Sequence, residues 1–97
     1  MHNVYILHSK KINRYYTGYT ADITVRLEFH DNAETGKFTY NADDWIHMYT
    51  LECDSKQQAL AVEKHIKSIK SKTYIQNLMK YPEIALKLKE KYKPTFG

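Results

Sequence analysis

The chain opens on a compact apolar run, Val4-Tyr5-Ile6-Leu7, followed by the polar stretch Ser9-Lys10-Lys11-Ile12-Asn13-Arg14. An aromatic and β-branched segment comes next, Tyr15-Tyr16-Thr17-Gly18-Tyr19-Thr20. Two such runs around a short polar connection predict an antiparallel hairpin, because these side chains suit a pleated surface. Gly18 interrupts the second run, which marks a bulge, a strand end or a close backbone approach. Asp22 is placed to cap a helix running to about His30, with Ile23 and Leu27 at i, i+4. Residues 31–44 are polar, contain Gly36 and predict a long surface loop. Trp45 to Glu52 is the third strand expected. Ser55, with Gln58 three residues on, predicts a capping box for a helix reaching about Lys70, whose apolar stripe is Ala59, Val62, Ile66 and Ile69. Shorter helices are expected at about 72–80 and 83–92, with Pro82 in a first-turn position. The order is ββαβα plus C-terminal helices. It describes an α/β protein of the α+β type: a small three-stranded antiparallel sheet flanked by helices. No repeat, low-complexity segment or linker divides it, and 97 residues make one domain, with a core over about 3–78 and a helical extension over about 79–97.

Composition narrows the class. The chain is 42% hydrophobic and 27% charged, which is globular and not disordered. No apolar stretch approaches a membrane span, and the N-terminus lacks a signal peptide's apolar run. Cys53 is the single cysteine, which excludes a disulfide framework and a cysteine-rich zinc site. These features predict a small soluble domain in the cytoplasm. The net charge of +4 is unevenly spread. Residues 1–53 carry five basic and seven acidic side chains, and residues 54–97 carry ten and four, all ten of them lysine. A basic half suggests a polyanion nearby, since lysines that neutralise phosphates release counterions. The plainer reading is a solvated lysine-rich helical surface.

Some positions sit oddly in a purely structural account. On the helix after Asp22, Ile23 and Leu27 take one flank and Val25 and Phe29 the other, with Arg26 and His30 stacked between them at i, i+4. Either Arg26 snorkels at a helix edge and His30 meets a backbone carbonyl, or the pair faces a site. On the long helix, Glu63 lies roughly 80° from the centre of the apolar stripe and shares its face with Lys56, Lys67 and Lys70. Glu63 is then either one half of an ordinary i, i+4 ion pair with Lys67 or a lone carboxylate that binds a divalent cation while lysines meet phosphate oxygens. The five histidines show no paired metal-ligand spacing, and there is neither a glycine-rich phosphate loop nor a nucleophile elbow. Cys53 has no activating partner in sequence and is expected to be a small core or strand-end residue.

Taken together, the hairpin, the following helix and the later glutamate resemble the GIY-YIG nuclease superfamily. Its first triplet matches Asn3-Val4-Tyr5 and its second matches Tyr16-Thr17-Gly18, eleven residues apart from tyrosine to tyrosine. Thr20, Arg26, Leu27 and His30 follow in the family's order, Glu63 falls where the family places its metal-binding glutamate, and Asn77 is a looser match to a site-closing asparagine. The resemblance covers most of residues 3–78. Asn3 stands where the first glycine would be, Thr17 replaces the middle residue of the second triplet, and Tyr19 stands where some relatives carry a lysine. The resemblance implies a metal-dependent endonuclease acting on DNA phosphodiesters, linked to repair or recombination. Glu63 would hold one Mg²⁺ or Mn²⁺, and Arg26 would offer its planar fork to a phosphate. Tyr5 with His30 would activate or orient the attacking water, and a phenol of ordinary pKa about 10 needs positive charge beside it for that. Tyr16 would position water or phosphate, and Gly18 would allow the backbone to approach closely. Lys56, Lys67 and Lys70 would form the DNA surface. The other seven tyrosines are expected to pack. Two further readings stand beside this one: a nucleic-acid-binding module of the same fold without turnover, and a protein-interaction adaptor. Relatives usually take target choice from an attached domain, so specificity is expected to come either from a protein partner or from DNA shape alone, as in a structure-specific nuclease.

Overall fold

A computed structural model of the protein describes residues 2–22 and 44–93. Three strands and three helices lie among them: β1 (His2–Ser9), β2 (Arg14–Thr20), β3 (Ile46–Cys53), α1 (Lys56–Ile69), α2 (Lys72–Lys80) and α3 (Pro82–Lys91). The α+β class and the antiparallel three-stranded sheet are as expected from sequence. The expected helix after Asp22 and most of the expected loop fall on 23–43, outside the described residues, as do Arg26, His30 and Tyr40.

β1 is the middle strand of the order β2-β1-β3, and both neighbours run antiparallel to it. Its apolar run explains that place, because a central strand is buried on both faces and paired on both edges. Val4, Tyr5, Ile6 and Leu7 are all buried. The hairpin register pairs Tyr5 with Gly18 and Leu7 with Tyr16, while Val4 faces Tyr19 and Ile6 faces Thr17. Since side chains alternate across a sheet, two sets result. Val4 and Ile6 join the core built with Ala59, Val62 and Ile66 of α1, Ile75 and Leu78 of α2, and Ala85 and Leu88 of α3. Tyr5, Leu7, Tyr16 and Gly18 belong to the opposite face. Between Ile6 and Leu7 the β1–β3 register slips by one residue, so Met48 is the extra residue of a bulge.

Helix ends follow local chemistry. Ser55 caps α1 by accepting the Gln58 N–H at 3.0 Å. The reciprocal half of the expected box is altered: Gln58 Oε1 accepts from Asp54 N at 2.6 Å. α1 stops at Lys70, whose left-handed backbone (φ 52°) breaks the helical repeat. Ser71 then caps α2 through Tyr74 N, and Pro82 opens α3. Ile69, assigned to the apolar stripe of α1, is 37% exposed in the last helical position. Cys53 is buried at the end of β3, as expected of a small strand-end residue. No helix among the described residues is long and apolar enough to cross a membrane.

Candidate active site

The motif tyrosines meet first. Tyr5 and Tyr16 project from the same sheet face on neighbouring strands, and their ring centroids stand 6.2 Å apart at 47°. Tyr5 is 1% exposed and lies directly across Gly18. A Cβ built on Gly18 would overlap Tyr5 Cζ and Oη and come within 2.9 Å of Cε1. Gly18 has no positive φ. Glycine is therefore required there by the Tyr5 ring and not by the backbone conformation at position 18.

Tyr16, half-buried, connects this pair to α1. β2 lies at the sheet's edge, so a side chain from the helix on the other face can reach around it. Lys67 does so, with Nζ 5.7 Å from the Tyr16 ring centroid, a cation–π distance. The same ammonium is 3.2 Å from Glu63 Oε2, and the Glu63 side chain is only 17% exposed. Tyr5, Tyr16, Lys67 and Glu63 thus form one contiguous series of contacts. Of the two readings that the sequence left open at Glu63, the i, i+4 pair with Lys67 is the contact seen; Lys67 in turn links that carboxylate to Tyr16.

The remaining sequence-selected residues are placed as follows. Lys70 is exposed at the C-terminal end of α1, one turn beyond Lys67. Lys56 begins α1, about 16 Å along the axis from Lys67 at 1.5 Å per residue. It stands away from the tyrosines despite sharing Glu63's angular face. Asn77 lies in α2, where its carbonyl accepts the Tyr81 N–H at 2.8 Å and closes that helix. Thr20 Oγ1 donates to Asp22 O at 3.0 Å and accepts from Asp22 N at 3.1 Å, a local turn at the end of β2. Of the seven tyrosines expected to pack, Tyr15, Tyr19, Tyr49, Tyr74 and Tyr92 lie against the core, and Tyr81 is exposed.

Sequence reasoning missed a cleft of about 380 Å³ beside Tyr16. Its rim carries Arg14 from β2, Lys67 and Lys70 from α1, and Lys72 from α2, and its floor includes Tyr15, Ile66 and Ile75. No carboxylate lines it among the described residues. Arg14 begins β2 and Lys72 begins α2, and only the packing of the three elements brings them to one cleft.

A divalent cation fits this donor set in one way. Among the described residues no three His, Cys, Asp or Glu side chains are grouped to enclose a metal. Glu63 offers a single carboxylate, and a hard cation of the Mg²⁺ type needs only one or two when water and substrate phosphates complete its shell. Glu63 therefore suits a cation brought together with a phosphate better than a preformed cage.

Comparisons with known proteins agree with this architecture. A model of the GIY-YIG catalytic domain matches residues 1–81. A UPF0213 protein of Halobacterium salinarum is 33% identical over 69 residues, covering 71% of this chain and 88% of that protein. A second UPF0213 protein, from Natronomonas pharaonis, is 37% identical over 68 residues, covering 70% of this chain and 79% of its own length. No solved structure matches the chain.

Proposed function

We propose, from the premise that this chain belongs to the GIY-YIG family, that it is an endonuclease that hydrolyses DNA phosphodiester bonds with one Mg²⁺ or Mn²⁺. Family membership gives a nuclease-type domain. The finer reading rests on one observation above all: the unbroken contact from Tyr5 and Tyr16 through Lys67 to Glu63, next to a rim of cations.

Hydrolysis adds the oxygen of water to phosphorus and releases the leaving oxygen as an alcohol, so charge gathers on the phosphoryl oxygens. Glu63 would hold the cation, which when bound supplies a Lewis acid for those oxygens. Lys67 places a positive charge between Glu63 and Tyr16, where its ammonium would meet a phosphate oxygen. Tyr16 is the motif phenol at the site's open side and would orient water or phosphate. Tyr5, buried over Gly18, would act from beneath by fixing Tyr16. Arg26 and His30 keep the roles that the motif implies, a phosphate fork and a partner for the water. Lys70 belongs to the DNA surface, with Lys56 as an outlying contact along α1 and Asn77 as a supporting residue. Participation in DNA repair or recombination and a specificity-giving protein partner are part of the same proposal.

The test is a panel of branched, single-stranded and duplex DNAs with Mg²⁺ or Mn²⁺. Wild type is expected to cut at least one of them, and Glu63→Gln to lose about 100-fold or more, the scale of removing one stabiliser of transition-state charge. Cleavage by Glu63→Gln at the wild-type rate overturns the assignment. The second reading, a nucleic-acid-binding module without turnover, is favoured by the engagement of Glu63 with Lys67 and by the burial of Tyr5. It predicts salt-sensitive DNA binding and no cutting of any DNA in the panel.

A further inference from the structure

We infer that the cleft beside Tyr16 is a subsite for one unpaired nucleotide of the DNA strand, which would make the protein prefer single-stranded or frayed DNA to intact duplex. The inference rests on the proposed nuclease reading only in setting this nucleotide next to the cleaved phosphate. Size comes first. About 380 Å³ lies within the range of small-molecule sites and far exceeds what one phosphate occupies, whereas a base held in a stacked duplex cannot enter. The chemistry of the lining matches a nucleotide in two parts. Ile66 and Ile75 are buried and Tyr15 is half-buried, giving an apolar and aromatic floor for a base. Base stacking on aromatic side chains tolerates any sequence because every base has a π-face.

The rim supplies the other part. Arg14, Lys70 and Lys72 are exposed, and none of them is paired with a carboxylate among the described residues. The N-terminus of α2, capped by Ser71, opens at the same cleft and adds its dipole to the three charges. Lys70 is held in place by the turn between α1 and α2, where its left-handed backbone reverses the chain. A non-glycine residue in that conformation costs stability, so a lysine there is a position where charge stands against backbone preference.

Binding is measured in EDTA, which separates it from cleavage, using a labelled short oligothymidylate strand and a blunt duplex of the same length. Wild type is expected to favour the strand. Arg14→Ala with Lys72→Ala should weaken strand binding roughly tenfold and lower its salt slope by about 1.4, near 0.7 for each phosphate no longer neutralised, with a clearly smaller loss on duplex. Lys70→Gly removes a rim charge while relaxing the backbone, so weaker strand binding by this variant cannot come from unfolding. Equal weakening on strand and duplex overturns the subsite, and so does strand binding by the variants at the wild-type level. If the variants behave as expected but wild type cuts no DNA with Mn²⁺, the subsite stands and the nuclease reading falls. If wild type cuts duplex while binding no strand, the nuclease reading stands and the subsite falls.

Discussion

At the scale of single residues, Gly18 and Tyr5 are one unit. The sequence shows a glycine inside a strand and a tyrosine in the strand before it, which suggests a close approach without naming the approaching atoms. The register supplies them: the two residues face each other, and the Tyr5 ring fills the space that any Cβ at position 18 would need. Tyr5 is buried and has little freedom to yield. Gly18→Ala is therefore expected to destabilise the fold by about 1–3 kcal/mol, the usual range for overpacking a filled interior, and to tilt Tyr5 against Tyr16. A lowered denaturation midpoint at unchanged slope would show it; a midpoint equal to wild type would mean that the ring moves aside freely. Thr17, the departure in that triplet, is buried on the opposite face against Ile6, so it replaces a packing residue and leaves the Tyr5–Tyr16 pair untouched.

Among the elements, most were legible in the chain because each announces itself locally. β-branched and aromatic runs became strands, and Ser55, Ser71 and Pro82 started helices where such residues satisfy or spare the first amide groups. What local pattern could not show is how the helices tie to one another. Gln58, read as half of a capping box, is 1% exposed and spans two elements. Its Oε1 accepts from Asp54 N at 2.6 Å, and its Nε2 donates to Lys89 O at 2.8 Å, near the end of α3. Gln58→Ala would remove both hydrogen bonds, whose other partners lie near the surface, at a cost of about 0.5–1.5 kcal/mol for each. Faster amide exchange at the C-terminal end of α3 than in α1 would mark the broken tie. The cleft belongs to the same class of feature: its rim draws on three elements, and no single stretch of sequence contains it.

Taken whole, the molecule carries a proton-linked stability as well as a charge asymmetry. His65 of α1 lies 2.7 Å from Tyr92 Oη, and its pKa is lowered, chiefly by burial and then by Lys91. The folded protein thus binds fewer protons at His65 than the unfolded chain does. The stability it contributes is complete above the ordinary value of 6.5 and declines as pH falls through it. Asp44 acts in a more acidic window. Its carboxylate accepts from Ser9 Oγ at 2.5 Å and Lys11 N at 2.9 Å, which hold its pKa below the ordinary value of 3.8, so its contribution disappears only under stronger acid. Melting temperature is expected to drop between about pH 8 and about pH 5.5, and His65→Gln should flatten that slope while leaving the more acidic decline in place. The sheet order has a consequence of another kind, in the timing of assembly. β1 lies in the middle of the sheet, yet one of its partners is β3, with His2 facing Cys53 across half the chain. A newly made hairpin of β1 and β2 must hold the Val4–Leu7 run with one flank open until β3 arrives. Closing so long a loop is the slow, entropically costly event. Tyr5, Tyr16 and Gly18 can meet early in synthesis, but the sheet that supports them is completed only by the segment just ahead of Glu63.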